Sequence, residues 1–295
     1  MLNLRVINSQ VGDGILKKAV IDCPRHFDPQ KTFDCGQCFR FNSDENGMVS
    51  GVVGNRYISV QKCGDKLNIY GVDQNEAEEK IVPYLGIDED YDKVNRDIEE
   101  HFGKYNDTIF KAEQVSDGIR ILRQDKWETL VSFIISQNNN IGRIKKIIER
   151  ICERFGEPFE QDGKTYYSFP TPSSLAGAGK ENIFACGTGF RDKYIVDCAE
   201  KVSGGEIDLE EISRMNTSDA MEKLMSIKGV GPKVASCVLL FGFHRTESFP
   251  IDVWIKRVLE KYYSSGIDLN DIGNYGGIAQ QYLFYYERYK SGGAN

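Results

Sequence analysis

The pattern of apolar and polar positions changes character near residue 75. Before that point, short runs of apolar, aromatic or β-branched residues alternate with turn-forming Gly, Asn and Asp residues. Such runs predict β-strands at residues 38–42, 48–53, 56–62 and 66–70. The Gly54-Asn55 pair between the middle two runs predicts a hairpin. The N-terminal region is therefore expected to be β-rich and antiparallel.

Helical spacing of apolar residues dominates the rest of the chain. The sequence predicts helices at residues 76–84, 92–102, 126–136, 141–155, 191–203, 218–226, 233–240, 252–262 and 277–289. Asp125 is expected to cap the third of these, and Ser173 a further short helix. Beyond Glu113 the chain is predicted to be almost wholly helical. The fold class is α+β, with an antiparallel β-sheet domain with helices at 1–115 and a mostly α-helical domain at 116–295.

Composition places the chain among globular proteins. Of its 295 residues, 40% are hydrophobic and 27% charged. No apolar run approaches the roughly 18–20 residues that a membrane span requires. The N-terminus lacks the basic start and apolar segment of a secretory signal. We therefore expect a cytoplasmic protein that does not associate with a membrane.

The cysteines favour packing over metal binding. Cys35 and Cys38 form a C-x-x-C, but no second pair follows at zinc-ligand spacing. In a cytosolic chain the cysteines are expected to be reduced thiols packed as small hydrophobes. No cysteine follows Cys237, which excludes a cysteine-ligated iron–sulfur cluster near the C-terminus.

The distribution of charge matters more than the net charge of −7. Most of the acidity lies in residues 76–100, which we expect to form a solvated face. A basic run with little nearby acidity consists of Arg143, Lys145, Lys146 and Arg150. A local basic patch can bind phosphates on a protein that is acidic overall. Charge alone therefore neither supports nor excludes a nucleic-acid partner.

The most informative segment is Lys-Gly-Val-Gly-Pro-Lys-Val-Ala-Ser-Cys at residues 228–237. Gly229, Val230 and Gly231 form a tight turn that opens a helix, and backbone N–H groups at such a turn can bind a phosphate. An ordinary helical hairpin would also use glycines to reverse the chain. The full pattern with its following lysine matches the helix–hairpin–helix motif, which holds the DNA backbone without reading sequence.

Two residues in and after this segment could carry chemistry. Lys233 lies in the first helical turn, and Asp252 starts the next helix. An amine beside a carboxylate suits nucleophilic attack on a sugar. The alternatives are a solvated surface lysine and an aspartate that only caps a helix. Capping and catalysis are compatible, because a carboxylate held at a helix start can also face the lysine.

Five segments together resemble the 8-oxoguanine DNA glycosylase/AP lyase family of the helix–hairpin–helix superfamily with a Gly/Pro-rich loop and a catalytic aspartate. They begin at Asp34, Arg120, Phe133, Lys233 and Ala279, and read DCGQCFRF, RILRQD, FIISQNNNI, KVASC and AQQYLF. The matches extend from about residue 20 to residue 288. The resemblance implies a bifunctional enzyme that flips 8-oxoguanine out of duplex DNA and excises it.

The resemblance also implies a role for each matching residue. Lys233 would attack C1′ and form a Schiff base, and Asp252 would stabilise positive charge on the sugar. The base pocket would consist of Gly36, Cys237, Gln280 and Phe284. Contacts with the DNA and with the orphaned cytosine would come from Asn138, Asn139, Asn140, Arg143, Phe190, Arg191, Gly229, Val230, Gly231 and Trp254. Taken singly, several of these have ordinary explanations, such as a polar helix end, a solvated arginine or a core aromatic.

The sequence departs from the family pattern at two positions. Trp254 stands where the family usually has a histidine that touches a phosphate, and Pro232 removes one N–H from the turn. By family analogy, hairpin carbonyls could hold a structural Na⁺ or K⁺; no other cofactor or metal is expected. We expect a monomer that acts on duplex DNA with 8-oxoguanine opposite cytosine, in the cytoplasm at the nucleoid.

Two other functions remain open from the sequence. A glycosylase for another damaged purine, such as an alkylated one, is the nearer alternative, although its monofunctional members tend to lack a lysine at position 233. A non-catalytic helix–hairpin–helix DNA-binding protein is the other. Such a protein would not require Lys233 and Asp252 together with a base pocket.

Overall fold

A five-stranded antiparallel sheet forms the first part of the computed structural model, which describes residues 17–290. Its strands are β1 (Lys18–Asp22), β2 (Phe41–Ser43), β3 (Val49–Val53), β4 (Arg56–Cys63) and β5 (Lys66–Tyr70). They lie in the order β1-β5-β4-β3-β2. The expectation about a secretory signal falls on residues 1–16 and so lies outside the described residues.

Helices make up most of the remaining structure. In the first half these are α1 (Pro29–Asp34), α2 (Gln74–Glu76), α3 (Val82–Tyr84), α4 (Tyr91–Gly103), α5 (Thr108–Ser116) and α6 (Lys126–Ser136), with a π-helical turn at Ala77–Ile81. They continue as α7 (Ile141–Phe155), α8 (Pro172–Ile183), α9 (Asp192–Ser203), α10 (Leu209–Arg214), α11 (Thr217–Met225), α12 (Pro232–Gly242), α13 (Val253–Tyr262) and α14 (Gly276–Lys290). A π-helical turn at Phe184–Thr188 and a 3₁₀ turn at Gly189–Arg191 connect α8 to α9. The predicted fold class is confirmed.

The local predictions succeed where periodicity is strong. Helices α6 and α7 have the predicted bounds, and Asp125 caps α6 by accepting from the Glu128 N–H at 2.8 Å. The hairpin between β3 and β4 turns at Gly54, whose φ is +58°. Strand β2 begins only at Phe41, and β1, which pairs with β5, was not predicted. Strand β2 has only three residues, so its pattern is weak, whereas β1 is as long as β3 and β5.

One prediction in the second half is wrong, and one element was not predicted. Ser173 does not cap α8; Thr171 does, because its hydroxyl accepts from the Ser174 N–H at 3.1 Å. The region is mostly helical, as predicted, but β6 (Pro158–Gln161) and β7 (Lys164–Tyr167) form an antiparallel hairpin that was not predicted. Its turn is Asp162-Gly163, a pair that tolerates the positive φ values of +51° and +71° found there.

The buried residues of the described chain form two clusters. One lies under the sheet and includes Leu122. The other lies among the helices from α4 onward. It also contains Cys35 and Phe39 from the N-terminal part. The loop after α1 thus contributes to both clusters, since Cys38 lies in the cluster under the sheet. The domain boundary at residue 115 stays a prediction.

Contacts between loops and between strands also connect distant parts of the chain. Arg120 is only 2% exposed, and its guanidinium donates to the carbonyls of His26 and Gly86 at 2.6 and 2.7 Å. The Tyr57 ring on β4 stacks on Tyr166 of β7 at 4.3 Å. Across residues 17–290 we find no helix with the length and apolarity to cross a bilayer.

Candidate active site

A cavity of about 670 Å³ opens between the loop after α1 and helices α6, α12 and α14. The predicted site residues that line it are Gly36, Asn138, Asn139, Asn140, Phe190, Gly231, Lys233, Cys237, Asp252, Trp254, Gln280 and Phe284. Gly229, Val230, Arg143 and Arg191 are not among the lining residues. The structure thus brings residues from distant parts of the chain to one cavity.

Lys233 and Asp252 enter the cavity from two helix N-termini. Lys233 is the second residue of α12, and its Nζ lies 5.4 Å from the centre of the Phe133 ring. Asp252 is the cap of α13 and accepts from the Ile255 N–H at 2.8 Å, as predicted. Because the cap uses one carboxylate oxygen, the other stays available to the cavity.

The Cys237 thiol lies one helical turn after Lys233 on α12. Its burial raises the pKa of the thiol to about 11; Lys233 opposes the shift and Asp252 adds to it. Both charged groups therefore act on the same thiol. A thiol held neutral in this way suits the predicted contact with a flat base rather than nucleophilic attack.

The hairpin turn requires its first glycine. Gly229 has a φ of +82°, and a Cβ there would lie 2.4 Å from Cγ of Tyr194. Val230 N–H donates to the Ile227 carbonyl at 3.0 Å, and Lys228 N–H donates to Asp197 Oδ2 at 3.0 Å. The turn is thus fixed by hydrogen bonds and by contact with α9. Gly231 has a φ of −98° and open space around its Cα, which leaves its backbone accessible to a phosphate.

The base pocket joins the loop after α1 to α14. Gly36 has a φ of +82°, and its missing Cβ would lie 3.8 Å from Phe284 Cε1. Gln280 is 4% exposed, and its Oε1 has no hydrogen-bond partner within the described protein. A buried amide oxygen without a partner is costly unless a ligand satisfies it. The pocket is therefore suited to a planar ligand with a hydrogen-bond donor.

The three asparagines link α6 to α7. Asn138 is exposed, with a φ of +47° that asparagine tolerates better than most residues. Asn139 Nδ2 donates to the Ile135 carbonyl at 3.1 Å, and so closes the end of α6. Asn140 caps α7 by accepting from the Arg143 N–H at 2.9 Å. Asn138 is exposed and is not the residue that closes α6 or caps α7, and its insertion into the duplex stays a prediction.

The two predicted cytosine-reading arginines lie in different environments. Arg143 is exposed, and its Nη2 lies 3.5 Å from the Gly187 carbonyl. Arg191 is 3% exposed, donates to the carbonyls of Gln137, Thr188 and Asn138, and stacks 4.4 Å over the ring of Phe190. In this structure Arg191 binds the carbonyls of the loop between α6 and α7, and of the two arginines Arg143 is the exposed one.

Trp254 lines the cavity, and the Arg257 guanidinium lies 5.0 Å over its ring. A cation is therefore present next to the position where the family usually has a histidine. Since Arg257 is exposed, it can supply the charge that the indole lacks.

Sequence reasoning missed several residues that line the cavity. They include Cys35, Phe39, Phe133, Ile141, Tyr194, Lys256, Gln281 and Arg288. Some lie inside the motifs quoted above, beside a residue that was selected. Gln281 directly follows Gln280, and helical spacing alone would have placed it on a different face. Only the packing of α14 against the loop after α1 shows that both amides point toward the pocket region.

The hairpin and the cavity that brings Lys233 and Asp252 together indicate a base-excision DNA repair protein. A family model described as "HhH-GPD superfamily base excision DNA repair protein" matches residues 131–269. A second, described as "8-oxoguanine DNA glycosylase, N-terminal domain", matches residues 20–130. The chain belongs to the 8-oxoguanine DNA glycosylase family of that superfamily.

Individual relatives agree with the family models. An N-glycosylase/DNA lyase of Saccharomyces cerevisiae is 33% identical over 269 residues, which cover 80% of this chain and 68% of the relative. A probable N-glycosylase/DNA lyase of Methanothermobacter thermautotrophicus is 34% identical over 203 residues, which cover 59% of this chain and 64% of the relative. The alignments thus span about two thirds of the length of these curated relatives.

Solved structures match over almost the whole chain. The Clostridium acetobutylicum 8-oxoguanine glycosylase/lyase, in complex with double-stranded DNA containing cytosine opposite 8-oxoguanine, is 34% identical with a TM-score of 0.87. That match covers 99% of this chain and 98% of the other. A structure of MBOgg1 with a low-affinity DNA ligand is 39% identical with a TM-score of 0.88, covering 99% of both chains.

Proposed function

We propose that the protein is a bifunctional DNA glycosylase/AP lyase that excises 8-oxoguanine paired with cytosine. The observation that carries the proposal is the shared cavity, in which Lys233 and Asp252 face a buried pocket containing the unpartnered amide oxygen of Gln280. A DNA-binding protein without catalysis would not need this pocket. The family membership and the relatives named above support the same activity.

The chemistry begins at the sugar. The amine of Lys233 attacks C1′ as the N-glycosidic bond breaks, and the base departs with its bonding electrons and takes up the proton that the attacking nitrogen gives up. Asp252 stabilises the positive charge that develops on the sugar. Opening of the C1′–O4′ bond then gives a Schiff base between Lys233 and the sugar. Loss of a C2′ proton expels the 3′ phosphate, which cuts the strand by β-elimination.

Selection of the lesion depends on Gly36. 8-Oxoguanine carries N7–H, a donor, where guanine has a bare acceptor. A Gly36 carbonyl facing N7 would therefore bind the lesion and repel guanine. Gln280 and Phe284 lie beside Gly36 and can hold the Watson–Crick edge and one face of the base.

A structural Na⁺ or K⁺ at the hairpin is a further proposal. Among residues 17–290 no group of three or more His, Cys, Asp or Glu side chains could hold a metal ion. A monovalent ion would therefore depend on main-chain carbonyls of the turn, and it takes no part in the steps above. The monomeric state and the cytoplasmic location remain predictions.

Borohydride trapping tests the proposed function. The protein is incubated with a duplex containing 8-oxoguanine opposite cytosine, and the Schiff base is reduced to a covalent adduct. We expect an adduct with the wild type and none with Lys233→Gln. A wild type that neither releases 8-oxoguanine nor forms an adduct would refute the proposal.

The matched control is Lys228→Gln. This variant removes an exposed positive charge from the same turn but keeps the amine at position 233. At saturating protein it should form the adduct as the wild type does. Loss of the adduct in both variants would show that the lysines act only through DNA binding.

A further inference from the structure

Gln281 and Arg288 on α14 both bind the loop that presents Gly36. Gln281 Nε2 donates to the Cys35 carbonyl at 2.6 Å, and Arg288 Nη1 donates to the Asp34 carbonyl at 2.8 Å. Gln281 is only 3% exposed. Phe284, which contacts Gly36, lies between them along the helix. Their spacings of three, four and seven residues place all three side chains on one face.

The loop is held from its other side by Gln37, which is fully buried. Gln37 Nε2 donates to Cys35 Sγ at 3.2 Å and to the Arg120 carbonyl at 2.7 Å. The Cys35 thiol in turn donates to the Thr32 carbonyl at 3.1 Å. Gly36 thus lies between two neighbours that are held by hydrogen bonds.

The orientation of the Gly36 carbonyl decides which base the pocket accepts. That carbonyl and the Gln37 N–H belong to one peptide group, so a flip of this group would replace an acceptor with a donor. A donor would suit the bare N7 of guanine. Glycine has no Cβ to resist such a flip, and its φ of +82° shows that it already uses this freedom.

We propose that Gln281 is a positioning residue for lesion selection, assisted by Arg288, which together fix the Cys35–Gly36 backbone so that the Gly36 carbonyl faces N7 of the base. The hydrogen bond from Gln281 fixes the Cys35–Gly36 peptide group, and with it the position from which the Gly36 carbonyl projects, from the side of α14. Rotation of the Gly36–Gln37 peptide group is limited from the other side, where the buried Gln37 side chain donates to the Arg120 carbonyl. This inference rests on the proposed function, because it assumes that Gly36 meets the base.

The test compares two reactions of the same enzyme. Single-turnover excision of 8-oxoguanine needs Gly36, whereas strand cleavage at a preformed abasic site needs Lys233 but no base. We expect Gln281→Met to lower the excision rate about tenfold, which is the effect of one buried hydrogen bond, and to leave abasic-site cleavage unchanged. The ratio of the two rates is the measurement.

Gln161→Met is the matched control. Gln161 Nε2 donates to the Tyr57 carbonyl at 2.6 Å, the same kind of bond at the same distance, but between β6 and β4. This variant should leave the ratio at the wild-type value. Equal loss of both activities in Gln281→Met, or an unchanged excision rate, would overturn the inference.

Gln281→Glu adds a pH readout that a purely structural role would not give. An ionised carboxylate cannot donate to the Cys35 carbonyl, whereas the protonated acid can. For Gln281→Glu, the ratio of the excision rate to the abasic-site cleavage rate, relative to wild type, should therefore rise as pH falls from about 8 to about 5.5. For Gln281→Met the same ratio should not change with pH. A flat profile for both would contradict the hydrogen bond. If the wild type fails to excise 8-oxoguanine, the proposed function fails instead.

Discussion

Lys233 and Asp252 reach the cavity from two helices that are consecutive in the chain. The loop that contains Gly36, by contrast, is bound to α14 by contacts such as that between Cys35 and Gln281, which are 246 positions apart. Local features fix the first pair: a turn that requires Gly229, and a cap bond from Ile255 to Asp252. The second region depends on the packing of the loop after α1 against α14. A compact motif can therefore carry the chemistry while contacts between distant segments set the choice of base.

The largest expected effect comes from Asp252→Asn in the compact motif. Asparagine caps a helix as well as aspartate, so the free energy of unfolding should change by less than about 0.5 kcal/mol. The charge that stabilises the sugar is lost, and single-turnover excision should fall by about 10²- to 10³-fold. Urea denaturation and the excision rate, measured on one preparation, check both parts.

Asp252→Ala is the comparison for that variant. It removes both the cap and the charge, so it should lose about 1 kcal/mol of stability in addition to the activity. If Asp252→Asn keeps wild-type activity, Asp252 acts only as a cap. The compact motif would then contain only half of the proposed chemistry.

Gly229→Ala should have the next largest effect. The added Cβ would collide with the Tyr194 ring and keep an alanine at a φ of +82°. Backbone strain and the clash together should lower the free energy of unfolding by about 2–4 kcal/mol, as measured in urea. The prediction tests whether the turn is fixed by its contact with α9.

Gly231→Ala is its matched control. Gly231 has a φ of −98°, and nothing lies within 4 Å of a Cβ built there. The free energy of unfolding of the Gly231→Ala variant should stay within about 1 kcal/mol of the wild-type value. Similar losses for both glycines would mean that general turn flexibility, rather than contact with Tyr194, determines the requirement.

The same contrast explains what the sequence could predict. The turn, the lysine and the capping aspartate lie in continuous motifs with strong helical periodicity, and α6 and α7 were predicted with correct bounds. The fold class follows from the change of pattern near residue 75. These features depend on local physics, which a single sequence displays.

Features that depend on tertiary packing could not be predicted. The hydrogen bonds from the Arg191 guanidinium to the carbonyls of Gln137, Thr188 and Asn138 were not predicted, and its contact with cytosine stays a prediction. Gln281 has no motif of its own, and its role appears only when Cys35 lies next to α14. The hairpin formed by β6 and β7 was missed because its strands have four residues each.

The smallest expected effect concerns the base opposite the lesion. Arg143 is exposed, and within residues 17–290 its guanidinium makes one long hydrogen bond, to the Gly187 carbonyl at 3.5 Å. Arg143→Met should therefore leave stability unchanged. It should reduce the preference for cytosine over adenine opposite 8-oxoguanine by about tenfold, because the planar fork that satisfies the cytosine acceptors is lost. Excision rates on the two duplexes give this preference.

Lys146→Met, an exposed cation on the same helix, is the control for charge alone. It should weaken binding to both duplexes equally and keep the preference for cytosine, because a contact with phosphate carries no information about the base. If Arg143→Met also keeps the preference, Arg143 contacts only the backbone. The choice of opposite base would then have to come from Arg191, which must leave its carbonyl partners to reach the DNA.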